Sequence, residues 1–156
     1  MSVEASPAGQ DRAGISLTLN RVFKAAPERV FDAWTDPALL AKWWGPDGTG
    51  PLDPQLDLRE GGEYRLDMQG AESGAIYRLR GRYVTIDRPH RLAFTWEWLD
   101  EDNSIDGETL VELEFRPVEG GTELVLTHTG FANDSRRAAH EEGWTSSMGC
   151  LERALT

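Results

Sequence analysis

Two histidines are the side chains of this sequence that are best suited to acid–base chemistry. His128 follows Leu124 and Leu126 in an alternating segment, which places it on the inward face of a predicted strand. His140 lies one helical turn before Trp144 on the apolar stripe of a predicted helix. An imidazole can donate or accept a hydrogen bond, so the pair could anchor a ligand carbonyl or hydroxyl, or act as acid and base across an interior space. The alternative is that each histidine is a core residue whose hydrogen bonds are met within the protein.

Aromatic residues supply the second candidate for a site. The chain contains six tryptophans, and Phe94, Trp96 and Trp98 alternate along one face of a predicted strand. Such side chains suit a pocket that binds an apolar ligand, although they could equally fill a core. Trp43 and Trp44 end a predicted helix beside a Gly-Pro loop, where one could pack under the sheet and the other gate a cavity. The predicted ligand-binding residues are Trp44, Tyr64, Tyr77, Phe94, Trp96, Trp98, His128, His140, Trp144 and Met148.

The other reactive residues form no recognisable catalytic or metal motif. Glu97 lies between Trp96 and Trp98, so it should point to the solvated face, unless a bulge turns it into the cavity as a base. Cys150 is expected to be a buried, inert thiol. His140 is followed by no second histidine at zinc-protease spacing, and the sequence has no CxxC pair, phosphate loop, dinucleotide fingerprint or serine elbow. We therefore predict no metal and no cofactor, and we assign no catalytic residue.

The formal net charge of −11 narrows the choice of partners. A strongly acidic surface repels phosphate backbones and anionic headgroups, so we predict no nucleic-acid and no membrane partner. A single cysteine excludes an internal disulfide. The sequence has no apolar stretch of the roughly 20 residues that a membrane span needs, and its first residues lack the apolar core of a signal peptide. A cytoplasmic location is the resulting expectation.

The chain divides into a short tail and one domain. Residues 1–14 are small and polar and are predicted to be a disordered tail, whereas 15–156 form the folded domain. Alternating apolar residues predict a first strand over 15–23, and two short helices separated by Asp36-Pro37 follow it. Residues 47–54 are rich in glycine, proline and aspartate and are predicted to be a loop.

Period-two alternation then predicts about six further strands and a long final helix. The longest strand spans 76–86, where Gly81 marks a bulge or a close approach of another group. Asn133 or Asp134 is a suitable N-cap for a helix of about 20 residues. The apolar stripe of that helix consists of His140, Trp144, Met148, Leu151 and Leu155.

This order of elements predicts an α+β fold in which a curved antiparallel sheet of about six to seven strands surrounds the C-terminal helix. Consecutive strands joined by tight turns favour antiparallel pairing, and the apolar face of the sheet needs a cover. The final helix is the only predicted element long enough to supply it. A bent sheet and a straight helix do not match along their whole length, so we expect a hollow between them.

The chain resembles the SRPBCC superfamily of START-like helix-grip domains, and within it the activator of heat-shock-protein-90 ATPase homologue family. The matching segments are VFDAWTDP at 30–37, KWWGP at 42–46, DLREGGEY at 57–64, RLAFTW at 91–96, GGTEL at 120–124, THTGF at 127–131 and HEEGW at 140–144. The resemblance implies a helix-grip fold. Members of the superfamily carry lipids and hormones, cyclise polyketides or act as co-chaperone domains, so the fold alone does not select one activity.

Three functions follow as hypotheses. The first is a binding protein for an apolar small molecule such as a lipid, polyketide or aromatic compound, held between the sheet and the helix. The second is a cyclase or dehydratase that uses His128 and His140, and whether the chain is an enzyme stays open. The third is an interaction domain that contacts a chaperone, as the resemblance implies. A homodimer is the expected form of any homo-oligomer.

Overall fold

The computed structural model describes residues 15–100 and 104–156. The predicted disordered tail at 1–14 lies outside the described residues. The elements are β1 Ser16–Phe23, α1 Pro27–Thr35, α2 Pro37–Leu40, β2 Thr49–Leu56, β3 Glu63–Gly70, β4 Ile76–Tyr77, β5 Leu79–Asp87, β6 Arg91–Trp98, a short 3₁₀ turn Ser104–Asp106, β7 Thr109–Val118, β8 Gly121–Thr129 and α3 Asp134–Leu155. In the part of the chain that the structure describes, no helix is long and apolar enough to cross a membrane.

The strands form one antiparallel sheet in the order β1-β8-β7-β6-β5-β3-β2, with the two-residue β4 paired to β3. Register shifts interrupt β2 between Leu52 and Gln55 and β5 between Tyr83 and Thr85. Such bulges bend a strand and increase its twist, which helps the sheet to curve around a helix. The predicted α+β helix-grip architecture is confirmed, with α3 against the concave face.

Two parts of the sheet differ from the sequence prediction. The predicted loop at 47–54 is wrong for most of its length, because β2 begins at Thr49 and pairs with β3. β2 is an edge strand, where Pro51 and Pro54 are tolerated, so its sequence shows no clear apolar alternation. The predicted strand at 76–86 is broken at Arg78, which separates β4 from β5.

Gly81 confirms the predicted close approach, whereas the bulge lies beyond it at Val84. A Cβ atom on Gly81 would stand 2.1 Å from the Thr95 carbonyl oxygen and 2.4 Å from the Tyr64 ring. The Tyr64 hydroxyl donates to that same carbonyl oxygen at 2.5 Å. Glycine at this position therefore allows the tyrosine ring to cross β5.

The helices α1, α2 and α3 begin at the residues where the sequence predicts helix starts. Pro27 starts α1, and the Asp36 side chain accepts a hydrogen bond from the Ala38 amide at 2.9 Å to begin α2. Asn133 is the N-cap of α3, because its side-chain oxygen accepts from the Arg136 amide at 2.9 Å. The buried face of α3 comprises Trp144, Ser147, Met148, Leu151 and Leu155. The predicted stripe is therefore confirmed, apart from His140, which is only half-buried.

Candidate functional site

A cavity of about 300 Å³ remains between the sheet and the N-terminal half of α3. Three parts of the chain supply its wall: the sheet, α3, and the segment that leads into β2. The lining residues are Met68, Tyr77, Trp96 and Trp98 from the sheet, Arg136, Ala139, His140, Gly143, Trp144 and Ser147 from α3, and Trp44, Gly45, Pro46 and Thr49 from the segment before β2 and its first residue. Aromatic and aliphatic groups dominate this set, which is typical of a small-molecule site.

The cavity wall includes part of the predicted binding set. The predicted residues in the wall are Trp44, Tyr77, Trp96, Trp98, His140 and Trp144. Tyr64, Phe94, His128 and Met148 are buried, but among the described residues they belong to the packed core and not to the wall. The sheet, α3 and the segment before β2 therefore bring together the wall tryptophans, while the remaining predicted positions lie in the core.

The tryptophans of the wall pack against one another. The ring centroids of Trp96 and Trp144 are 4.9 Å apart, and Trp96 meets Trp98 edge-on at 5.4 Å. Trp44 lies 6.0 Å from Trp144, and its indole donates to the Leu66 carbonyl at 3.2 Å. These contacts hold Trp44 as a buried part of the wall.

His140 has both ring nitrogens engaged. The Trp98 indole donates to His140 Nε2 at 3.0 Å, and His140 Nδ1 contacts the Arg136 carbonyl oxygen at 2.8 Å. A carbonyl can only accept, so Nδ1 carries the proton and Nε2 is the acceptor, which is the neutral imidazole. Burial is the main cause that lowers the pKa of His140 below its ordinary value. The imidazole thus fixes the position of the Trp98 ring.

The hydrogen-bond partners of His128 also fix it as a neutral imidazole, and this residue lies in the core behind the cavity wall. The Trp144 indole donates to its Nδ1 at 3.1 Å, and its Nε2 lies 2.7 Å from the Thr109 hydroxyl. That hydroxyl donates to the Trp96 carbonyl oxygen at 2.9 Å, so it accepts from Nε2–H. Burial, together with the nearby His140, holds the pKa of His128 well below its usual range.

Among the described residues, one paired arginine supplies the charge in the cavity wall. Arg136 Nε lies 2.8 Å from Asp106 Oδ2, and Asp106 is only 2% exposed. The other carboxylate oxygen of Asp106 accepts from the Ala132 amide at 2.7 Å, which holds the chain that enters α3. Among the described residues no aspartate or glutamate lines the cavity.

The segment before β2 is attached to α3 by polar contacts. The Asp47 amide donates to the Ser146 hydroxyl at 2.8 Å, and Arg153 donates to the Asp47 carboxylate at 2.9 Å. Cys150 lies beside this ion pair, with Sγ 3.4 Å from Asp47 Oδ1, and burial and the carboxylate raise the pKa of its thiol. These contacts attach to α3 the segment that carries the wall residues Gly45 and Pro46.

Several wall residues were missed by the sequence prediction. Arg136 lies on α3 one turn before His140, in the column of the apolar stripe, and Ala139, Gly143 and Ser147 form the neighbouring column. Small residues beside a tryptophan column are a signal of open space that the sequence prediction did not use. Among the described residues, a Cβ atom on Gly143 would meet no atom within 4 Å, so open space lies beside it.

Glu97 stays outside the wall, as its alternation predicts. It pairs in register with Arg80 of β5, and the bulge in this region is on β5 and not on β6. Among the described residues, no group of His, Cys, Asp and Glu side chains could hold a metal ion.

Comparison with known protein families identifies the family of this chain. The family described as Activator of Hsp90 ATPase homolog 1-like protein matches residues 24–156. The chain belongs to this family. No curated protein gives a significant match. The resemblance seen in the sequence segments is therefore confirmed at the level of family and fold.

Solved structures of similar bacterial proteins share the architecture. The AHSA1 protein from Silicibacter pomeroyi is 35% identical, with a TM-score of 0.79, and the alignment covers 90% of this chain and 97% of that one. A protein from Chromobacterium violaceum is 28% identical over 88% of this chain and 94% of that one, with a TM-score of 0.79. A Rhodobacter sphaeroides protein is 32% identical over 90% and 91%, with a TM-score of 0.75. The fold is thus that of a family whose architecture is consistent with a ligand-binding domain.

Proposed function

We propose that this protein binds a small, largely apolar, ring-containing molecule in the cavity between the sheet and α3. The observation that carries the proposal is a cavity of about 300 Å³ with a tryptophan-rich wall. Small-molecule sites span about 300–1,000 Å³ and are lined mainly by apolar and aromatic groups, so this cavity suits a compact ligand. Flat indole faces favour rings over flexible chains, because stacked and edge-on aromatic contacts add to the free energy of burial.

The expected affinity for a simple aromatic probe is weak. A ligand that loses roughly 200 Å² of apolar surface gains about 5 kcal/mol from burial, before the cost of association is subtracted. Aromatic contacts contribute roughly 0.5–1.5 kcal/mol per pair beyond that. With an association cost of at least about 4 kcal/mol, a dissociation constant of about 0.1–10 mM is the expected range for a simple aromatic probe.

The arrangement of the histidines favours binding over acid–base catalysis. Both nitrogens of His140 are engaged, by Trp98 and by a backbone carbonyl, and both nitrogens of His128 are engaged, by Trp144 and Thr109. Either imidazole would have to give up a hydrogen bond before it could transfer a proton to a ligand. Their observed contacts orient two wall tryptophans, which is a task of a binding site.

Filling the cavity from Gly143 tests the proposal. A side chain at this position enters open space, so Gly143→Leu should occupy the cavity with little strain. Gly149→Leu is the matched control, because it makes the same change on the same helix, and among the described residues an added Cβ there meets only the Arg153 guanidinium, at 3.8 Å. Both substitutions replace a helical glycine by a better helix former, which favours the fold by roughly 0.5–1 kcal/mol.

The measurement is a titration with ethylnaphthalene followed by the indole ¹⁵N–¹H resonances of the tryptophans. We expect binding by the natural protein and by Gly149→Leu, and an affinity at least about tenfold weaker in Gly143→Leu, since a leucine side chain takes up space that the probe needs. Equal binding by the Gly143→Leu and natural proteins would place the probe elsewhere. A failure of the natural protein to bind ethylnaphthalene or comparable arenes would refute the proposed function.

A further inference from the structure

Trp98 is a half-buried tryptophan of the cavity wall, whereas the other three wall tryptophans are each at most 5% exposed. Its ring meets Trp96 and Tyr77 edge-on, with centroid distances of 5.4 Å and 6.5 Å. Its indole N–H donates to His140 Nε2 at 3.0 Å. An indole has a single polar hydrogen, so this bond is the polar contact that fixes how the Trp98 ring faces the cavity.

A proton on His140 would reverse the polarity of this contact. Nδ1–H already donates to the Arg136 carbonyl oxygen at 2.8 Å, and that carbonyl belongs to the preceding turn of α3. A second proton therefore goes to Nε2, the ring nitrogen that accepts in the neutral imidazole. Nε2–H and the Trp98 N–H would then be two donors facing each other at 3.0 Å. The indole would have to leave its position in the wall.

The groups packed around His140 decide how readily it takes up that proton. Its uncharged neighbours among the described residues are Trp96 and Trp98 of β6, His128 of β8 and Phe131, which precedes α3. The ionised neighbours are the Arg136 guanidinium on α3 and the Asp106 carboxylate of the 3₁₀ turn. Burial is the largest cause that lowers the pKa of His140, and the Arg136 charge adds to it, whereas the Arg136 carbonyl and Asp106 oppose this shift.

We propose that His140 couples ligand binding to its own protonation: the cavity binds its aromatic ligand while His140 is neutral, and a proton on Nε2 weakens binding because it releases Trp98 from the wall. The proposal rests on the proposed function and adds a regulation of the same site. His140 acts through the Trp98 indole, so it is a positioning residue.

Proton and ligand oppose each other, and this coupling is reciprocal. A ring that packs on Trp98 keeps the indole aimed at Nε2, so bound ligand reduces proton uptake by His140. In return, proton uptake reduces affinity. One titrating group changes a dissociation constant by at most about tenfold per pH unit. Because the pKa of His140 lies below 6.5, the change falls on the acid side of that pH.

The test uses 2-naphthol, which dissolves better than ethylnaphthalene and stays uncharged between about pH 5 and about pH 7.5. Its dissociation constant is measured at a series of pH values from the indole ¹⁵N–¹H resonances of the protein. We expect a constant value between about pH 7.5 and about pH 6.5, and a rise of at least about threefold by about pH 5. In the ligand-free protein, the Trp98 indole resonance should move over the same pH range.

His140→Gln is the decisive variant, because a glutamine carbonyl oxygen accepts from the Trp98 indole and does not titrate. The dissociation constant of this variant should be independent of pH. His90→Gln is the matched control, since His90 is exposed and lies outside the cavity wall, and it should keep the pH dependence of the natural protein.

A second measurement needs no variant. The imidazole resonances of the natural protein report the pKa of His140 directly, and 2-naphthol should lower this pKa, as reciprocity requires. A pKa of His140 that is the same with and without 2-naphthol would overturn the proposal, even if His140→Gln did not fold.

The outcomes distinguish this inference from the function on which it rests. If 2-naphthol binds but its dissociation constant does not change with pH, or if the acid-side rise persists in His140→Gln, the coupling is wrong while an aromatic site remains. If 2-naphthol and ethylnaphthalene both fail to bind the natural protein at about pH 7.5, the proposed function fails and the coupling fails with it.

Discussion

The buried neutral state of His128 predicts how the stability of the protein depends on pH. In the folded protein its pKa is held well below 6.5, mainly by burial, whereas in the unfolded chain the imidazole takes up a proton near pH 6.5. Below that pH the unfolded state therefore binds more protons than the folded state. Stability is fully present above about pH 6.5 and falls as the pH decreases.

The magnitude follows from the linkage relation. One histidine that stays neutral in the folded state changes the free energy of unfolding by about 1.4 kcal/mol per pH unit below its unfolded pKa. Lowering the pH to about 5.5 should thus remove about 1.4 kcal/mol through His128 alone. Burial lowers the pKa of His140 as well, so His140 also reduces the stability of the folded protein as the pH decreases. The Arg136–Asp106 ion pair lies beside this histidine.

Urea unfolding at about pH 7 and about pH 5.5 measures this effect, with the natural protein compared with His128→Gln. A glutamine amide can accept from the Trp144 indole and donate to the Thr109 hydroxyl, yet it does not titrate. We expect the stability difference between the two pH values to be about 1.4 kcal/mol smaller in His128→Gln.

His90→Gln is the matched control, because His90 is exposed and lies outside the buried network. Titratable groups that all three proteins share contribute equally to the pH dependence of the free energy of unfolding, so their contributions cancel in the comparison. If His128→Gln retained the pH dependence of the natural protein, the assignment of a buried neutral imidazole at His128 would be wrong.

Two further substitutions test other parts of the fold. Gly81→Ala should destabilise the protein by roughly 1–3 kcal/mol in urea unfolding, because the new methyl group would overlap the Thr95 carbonyl and the Tyr64 ring. An unchanged urea midpoint would show that β5 can move away from these groups. Asp106→Asn should cost about 2–3 kcal/mol, since it removes the charge opposite Arg136 in a nearly buried pair. A loss in the Asp106→Asn/Arg136→Met double variant that equals the sum of the two single losses would contradict coupling between the two side chains.

The regular elements were predictable because their residues repeat with the period of the structure they form. The alternation of Phe94 and Trp96 on β6 and the helical spacing of Trp144, Met148 and Leu151 on α3 each mark a buried face. These patterns are local properties of a strand or a helix with one face in the core. They were sufficient for the helix-grip architecture and for most of the aromatic wall.

Elements stabilised by their neighbours were not predictable in the same way. β2 carries prolines and little apolar alternation, and it is a strand because β3 supplies its hydrogen bonds. Gly143 and Ser147 belong to the wall because the cavity lies beside them, and a sequence pattern does not reveal empty space.

The sequence by itself determined which faces are apolar and therefore that a sheet must pack around the last helix. Only the tertiary structure decided which of the inward residues face a cavity and which fill the core. His128 and His140 show the reason: their roles depend on which indole, hydroxyl or carbonyl lies within about 3 Å, and these partners come from distant parts of the chain. The packing of β6, β8 and α3 therefore places both histidines where they orient tryptophan side chains by hydrogen bonds.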